Sequence, residues 1–396
     1  MTDTPPRIGL APLFLKFLGF GCLAFGGPVA QIAMIRRELV EREGWITGAR
    51  FNRLLAVMQI LPGPEAHELC VHLGVGARGR IGGLLAGLGF MLPGTLLMLA
   101  TAWLYVRFGV GQAWAPAFLG VQIVVLALIA RGAERIGRHL LETQLLVAVG
   151  VIAFVATVMG VPFWIVLPLA GLFVSLWRTR RPASWLVLAV GIAAAVAHQS
   201  WVGSDPILAP AFAPAGDAEW PWLLLAGLKA GLLTFGGAYA AIPFTRQDLV
   251  GRGWVEDGAF LDGVAFAGML PAPLIIFCTF AGYVAGGMLG ALAITAGVFL
   301  PAFAFSLLFY ERLERWVEAP GLHGLLAGAG AAVVGLIGAT LIALGRAVAE
   351  SVGAGDRFVA LLLLAAALAF VWTLKGRWVA PAAVVLGGLA GWAAFG

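Results

Sequence analysis

An all-α, polytopic membrane fold of about thirteen transmembrane segments, built as two inverted repeats with broken helices, is what this sequence predicts. Three observations carry that expectation. The first is composition: of 396 residues 61% are apolar and only 11% charged, with a mean hydropathy of +0.97, more apolar surface than one soluble core can hide. The second is a duplication. Third, Gly and Pro interrupt apolar segments at matched places in the two copies.

The duplicated stretch runs FGGPVAQIAMIRRELVEREGW from Phe25, then FNRLLAVMQILPGP to Pro64, and its partner runs FGGAYAAIPFTRQDLVGRGW from Phe235, then FLDGVAFAGMLPAP to Pro273. From Phe25 to Arg42 the offset is 210 residues and nine of eighteen positions are identical. One residue is then lost, so Trp45 matches Trp254 and Pro62 and Pro64 match Pro271 and Pro273. Shared Leu, Ala and Val follow from composition, but paired arginines, tryptophans and prolines do not.

In chain order the apolar segments are 10–33, 54–76, 81–106, 113–130, 144–159, 161–177 and 185–201, then 220–244, 260–285, 286–309, 322–344, 358–374 and 378–395. Each approaches the roughly 20 residues that cross hydrocarbon. The pair within 144–177 is marked only by Gly160 and Pro162, so one span or two is open there. The start MTDTPPR has no cationic, then apolar, cleavable pattern, so the first run reads as a retained span. Residues 1–201 form the first unit, 202–219 a periplasmic linker carrying Asp205, Asp217 and Glu219, and 220–396 the second unit. Seven spans before the join turn the second unit upside down. With a cytoplasmic N-terminus and a periplasmic C-terminus, fifteen Lys and Arg fall inside and eight outside. Five of those eight, Arg36, Arg37, Arg42, Arg50 and Arg53, cluster after the first FGG and conflict with the rule. The net charge of +5 is otherwise read as orienting spans, with no nucleic-acid partner implied.

Chemistry is expected where helices break, because irregular backbone at membrane depth survives only against protein or a water-filled cavity. Gly26-Gly27-Pro28, Gly236-Gly237, Pro62-Gly63-Pro64 and Pro271-Ala272-Pro273 are such breaks, and a helix restarting after one aims free N–H groups at an anion. The plainer alternative is close packing of membrane helices. Bulk at Gly27 or Gly63 is expected to abolish function, and at Gly87 or Gly335 to be milder. Arg36 and Arg246 follow the FGG breaks at equal distance and read either as forks that close an anion site or as interfacial anchors. Glu65 and His67 are candidates for proton coupling, with helix capping the competing reading for Glu65. Neither has a titratable counterpart in the second unit. HELCVH resembles a zinc-peptidase helix, but His67 and His72 are five apart and not four, which leaves an intramembrane enzyme a remote alternative. Cys22, Cys70 and Cys278 have no metal-type spacing.

Both repeats, in their order, resemble the chromate ion transporter family in its long two-unit bacterial form. The resemblance implies a multi-pass protein of the bacterial inner membrane that exports the chromate dianion and confers chromate resistance, with sulfate as a close analogue. It carries Phe25, Gly26, Gly27, Pro62, Gly63, Pro64, Phe235, Gly236, Gly237, Pro271 and Pro273 over as motif positions. Ala272, where PGP is usual, and His67, where glutamine is usual, depart from the pattern. Transport is expected to be secondary, with no cofactor and no metal. The expected partners are the oxyanion and the lipid bilayer; a homodimer is left open, and another oxyanion or a small organic anion is the alternative substrate.

Overall fold

The computed structural model describes residues 8–202, 218–308 and 320–396, and among them every regular element is helical. The expected linker with Asp205 and Asp217, and the loop charges Arg7, Arg312 and Arg315, lie outside the described residues. The first unit comprises α1 (Leu10–Cys22), α2 (Gly27–Arg36, continued by a π-helical turn, Arg37–Arg42), α3 (Gly48–Ile60), α4 (Glu65–Arg107), α5 (Ala115–Leu140), α6 (Gln144–Val158), α7 (Phe163–Thr179) and α8 (Arg181–Val202). The second repeats the order: α9 (Trp220–Leu232), α10 (Ala241–Leu249), α11 (Asp257–Met269), α12 (Phe277–Leu308), α13 (Pro320–Ser351), α14 (Arg357–Thr373) and α15 (Val379–Phe395). Thr47 caps α3, its hydroxyl accepting from Arg50 N–H at 3.4 Å. Segment 144–177 is two helices, α6 and α7, turned at Gly160 with φ +87°.

Two of these helices are hairpins. Non-helical Arg78 and Gly79 (φ +63°) fold α4 back on itself, and Gly286 and Gly287 (φ +62°) do the same in α12. The arms touch through glycine: a Cβ on Gly74 would lie 2.6 Å from the Gly82 carbonyl, and one on Gly282 would lie 2.9 Å from that of Gly290. Such close approach of backbones is how small residues hold membrane helices together. The long second arms, from Arg80 and from Met288, run past each other in opposite directions. Gly83 meets Leu307 and Gly87 meets Phe303, so the later residue of one pair faces the earlier of the other. The two units are therefore inverted.

The packing at the breaks shows where apolar segments fold back on themselves. α1 runs alongside the second arm of α4 only as far as Gly21, which packs on the Phe90 carbonyl about ten residues, roughly 15 Å, from the turn at Gly79. That is about half of the ~30 Å hydrocarbon. The chain then returns: Lys16 pairs with Glu43, and the Phe17 and Trp45 rings lie 6.3 Å apart. α11 and the start of α12 likewise fold back, with a Cβ on Gly263 reaching within 2.6 Å of the Phe280 ring. Segments 10–33 and 260–285 thus each fold back at their breaks. Four helices, Glu65–Arg107, Ala115–Leu140, Leu274–Leu308 and His323–Ser351, are long and apolar enough to cross among the described residues.

This fold-back bears on the charge conflict for three of the five arginines. With α2 folded back along α1, Arg36, Arg37 and Arg42 lie on the side where α1 begins, and they share one open vestibule with Arg377 of the second unit. The sequence reading had put those three and Arg377 on opposite sides. Cysteines placed at Glu41 and Arg80, in a chain whose exposed Cys22 is serine, are expected to react with an impermeant maleimide from one face, and cysteines at Glu219 and Glu256 from the other. Labelling of 41 and 80 from opposite faces would restore the thirteen-span arrangement.

Candidate functional site

The four breaks meet in crossed pairs. Gly63 N–H, between Pro62 and Pro64, donates to the Thr234 carbonyl at 2.8 Å, tying the first unit's proline break to the second unit's FGG break. The reciprocal pair uses a side chain. Gln31 Nε2 donates to the Ala24 carbonyl at 2.8 Å and to the Ala272 carbonyl at 2.9 Å, joining the first FGG break to the second proline break. Gly26, Gly27, Gly63, Gly236 and Gly237 all have φ between +71° and +151°, where an L side chain is strained. Ala272 is not in that region; its N–H turns back to the Leu270 carbonyl at 2.9 Å, so the second proline break takes a tighter turn than the first.

A cavity of about 270 Å³ opens between the first FGG break and the second proline break. Gly26, Gly27 and Pro28 form one wall, Leu270, Ala272 and Leu274 another, and Tyr239 of the second FGG unit a third. Arg131, Arg135 and Arg377 also line it. Arg131 and Arg135 are one turn apart on α5 and so share a face. None of the three has a carboxylate within ion-pair distance among the described residues; Arg131 Nη2 donates to the Leu374 carbonyl at 3.2 Å. Arg377 reaches the site because Gly26 has no side chain: a Cβ there would come within 2.6 Å of Arg377 Cβ. The Phe25 ring packs 5.5 Å from Trp378 beside it. Above lies the vestibule of about 880 Å³, sharing Ala30, Ala33 and Arg377 with the cavity. Guanidinium forks without carboxylates, beside strained glycines at a helix start, suit an oxygen-rich anion.

Of the motif positions expected to bind substrate, only Gly26 and Gly27 face this cavity. Phe25 faces the vestibule; Pro62, Gly63, Pro64, Phe235, Pro271 and Pro273 are buried, and Gly236 packs on Ile136 and Leu140. Arg246 holds Asp257 in a two-point pair at 2.7 and 2.8 Å, so its fork is occupied. Arg36 sits in the vestibule, 3.3 Å from Asn52 Oδ1 and 3.6 Å from Glu41. Glu65 is buried at the start of α4, close enough to feel the Arg135 charge. His67 is wedged between Phe299 and Phe303, ring centroids 4.9 and 4.7 Å away, with both ring nitrogens unpartnered. Glu68 is fully buried with neither oxygen bonded, and its carboxyl fills the space a Cβ on Gly63 would need. Sequence reasoning missed Arg131, Arg135, Arg377, Tyr239 and Gln31. A signal existed for the first two: aligning α5 with α13 sets both arginines against alanines.

The chromate transporter family model matches residues 11–196 and 222–392, nearly the whole chain. The chain belongs to the chromate transporter family. A chromate transport protein of Pseudomonas aeruginosa is 55% identical over 395 residues, 99% of this chain and 94% of that one. The chromate transport protein of Cupriavidus metallidurans is 33% identical over 87% of this chain and 84% of its own length. A probable chromate transport protein of Synechococcus elongatus is 29% identical over 98% of this chain and 96% of that one. No solved structure matches the chain. This is a family of membrane transporters, which accounts for the apolar composition.

Proposed function

We propose that this chromate transporter exports the chromate dianion from the cytoplasm by secondary transport, loading it in the cavity beneath the first FGG break. The observation that carries this reading is the group of three arginines, Arg131, Arg135 and Arg377, facing a water-open cavity with no ion-paired carboxylate among the described residues. Two units, 1–201 and 220–396, joined by a periplasmic linker, would rock about the crossed breaks. Lys and Arg favour the cytoplasmic side, and Arg36, Arg37, Arg42, Arg78 and Arg80 now support a cytoplasmic N-terminal face together. The vestibule then opens to the cytoplasm of a bacterial plasma membrane. Guanidinium forks read charge and oxygen geometry, not the central atom, so sulfate is expected to compete.

A dianion leaving a negative-inside cell gains about 2.3 kcal/mol per charge per 100 mV. Two charges supply roughly 4.6 kcal/mol, about a thousandfold concentration ratio, so export needs neither ATP nor, in principle, a coupling ion. Glu65 shares Arg135 with the anion, which makes it the candidate for linking transport to protons, with His67 behind it. Chromate flux into inside-out vesicles, with potential clamped by potassium and valinomycin, is expected to follow the potential in wild type. Glu65→Gln should keep that response and lose dependence on the pH gradient. Flux indifferent to potential at fixed pH would mean electroneutral exchange, and absence of chromate flux would overturn the reading.

A further inference from the structure

The two units do not build equal cavities. α5 and α13 correspond at an offset of 208 residues, with Gly120/Gly328, Val125/Val333, Leu128/Leu336, Ile129/Ile337, Gly137/Gly345 and Arg138/Arg346 identical. That correspondence sets Arg131 against Ala339 and Arg135 against Ala343. Gly160 and Gly376, both with positive φ, each precede by three residues the start of a 17-residue helix, so Arg377 stands where the first unit has Val161. Val161, Ala339 and Ala343 together line a cavity of about 60 Å³ beside Arg246. It is the inverted counterpart of the arginine-lined one. Its single arginine is held by Asp257; the position matching Asp257 in the first unit is Gly48, and Arg36 there has a looser contact instead, with Glu41 at 3.6 Å.

Three separate positions therefore change in the same sense, each by loss of a cation. From this we infer that the chain carries one oxyanion site, on the N-terminal face, and that the equivalent cavity of the second unit is an exit that does not hold the anion. The inference rests on the proposed loading of chromate beneath the first FGG break and adds its stoichiometry. Gradients still set the direction of net flux. The asymmetry sets affinity, strong in the cavity where Arg131, Arg135 and Arg377 are open to water and weak in its counterpart, whose one lining arginine is already held by Asp257.

The test is equilibrium binding of radiolabelled sulfate and of chromate to the purified full chain in lipid nanodiscs. One anion per chain is expected, with chromate displacing sulfate. Arg135→Ala should weaken binding at least tenfold and Arg135→Lys less, with helical content by circular dichroism unchanged in both. Thr340→Ala, in the second cavity, should bind within twofold of wild type. Two anions per chain, or full binding retained by Arg135→Ala, would overturn this inference and leave export by the family intact. A folded wild type that binds neither anion overturns the proposed loading site as well.

Discussion

Arg131→Ala combined with Arg135→Ala is expected to abolish chromate transport while leaving the amount of protein in the membrane unchanged. A hydrogen bond to a charged group is worth about 1.5–3 kcal/mol, so losing two amounts to about 3–6 kcal/mol, a factor of roughly 10² to 10⁴ in affinity. Folding should tolerate the change for a specific reason. Neither arginine has an ion-pair partner among the described residues, so no direct ion pair is broken; the one hydrogen bond lost is that from Arg131 to the Leu374 carbonyl, and buried Glu65 loses only the more distant Arg135 charge. Lysine at both positions should restore part of the flux, because it supplies charge without the planar fork. Chromate uptake into inverted vesicles, normalised to transporter by immunoblot, measures the effect. Flux near wild type in the double alanine variant would show that the cavity is not the path.

The second large effect is expected at Gly27. A Cβ there meets nothing within 4 Å, and the residue lines the cavity. Gly27→Leu therefore projects bulk into the anion's space, at a backbone cost of about 1–2 kcal/mol for an L-residue held at φ +76°. Transport should be lost with the protein still folded in the membrane. Gly63→Ala differs in kind: its Cβ would lie 2.3 Å from Glu68 Oε1, so the buried Glu68 carboxyl must be displaced, and φ +151° strains the new residue. Gly87 and Gly335, expected from sequence to be milder, are not suitable controls. A Cβ on Gly87 would lie 2.4 Å from the Phe303 ring, and one on Gly335 would lie 2.4 Å from the Gly150 carbonyl. Gly345, with nothing within 4 Å, is the proper comparison, and Gly345→Leu should transport normally. Equal loss of the Gly27 and Gly345 variants from the membrane would mean that glycine serves packing at both.

The medium, the duplication and the positions of all four breaks are determined by sequence alone, because each is a local property. Apolar composition selects the bilayer, identity at a constant offset reveals the copy, and Gly and Pro interrupt a helix wherever they stand. The inversion was legible too, though for an incomplete reason: the odd number of crossings that produces it does not require α1 and α2 to cross. Whether an apolar segment traverses or folds back was decided only by tertiary structure. Hydropathy is the same either way, and the answer lies in pairs such as Lys16 with Glu43 and Phe17 with Trp45, which sequence does not align. The same holds for the site. Arg36 and Arg246 occupy equivalent positions, yet Asp257 engages one and not the other, while Arg131, Arg135 and Arg377, drawn from opposite ends of the chain, converge because Gly26 lets a distant loop settle on it. Charge at a site is a sum over neighbours in space, and only the packed helices define who those neighbours are.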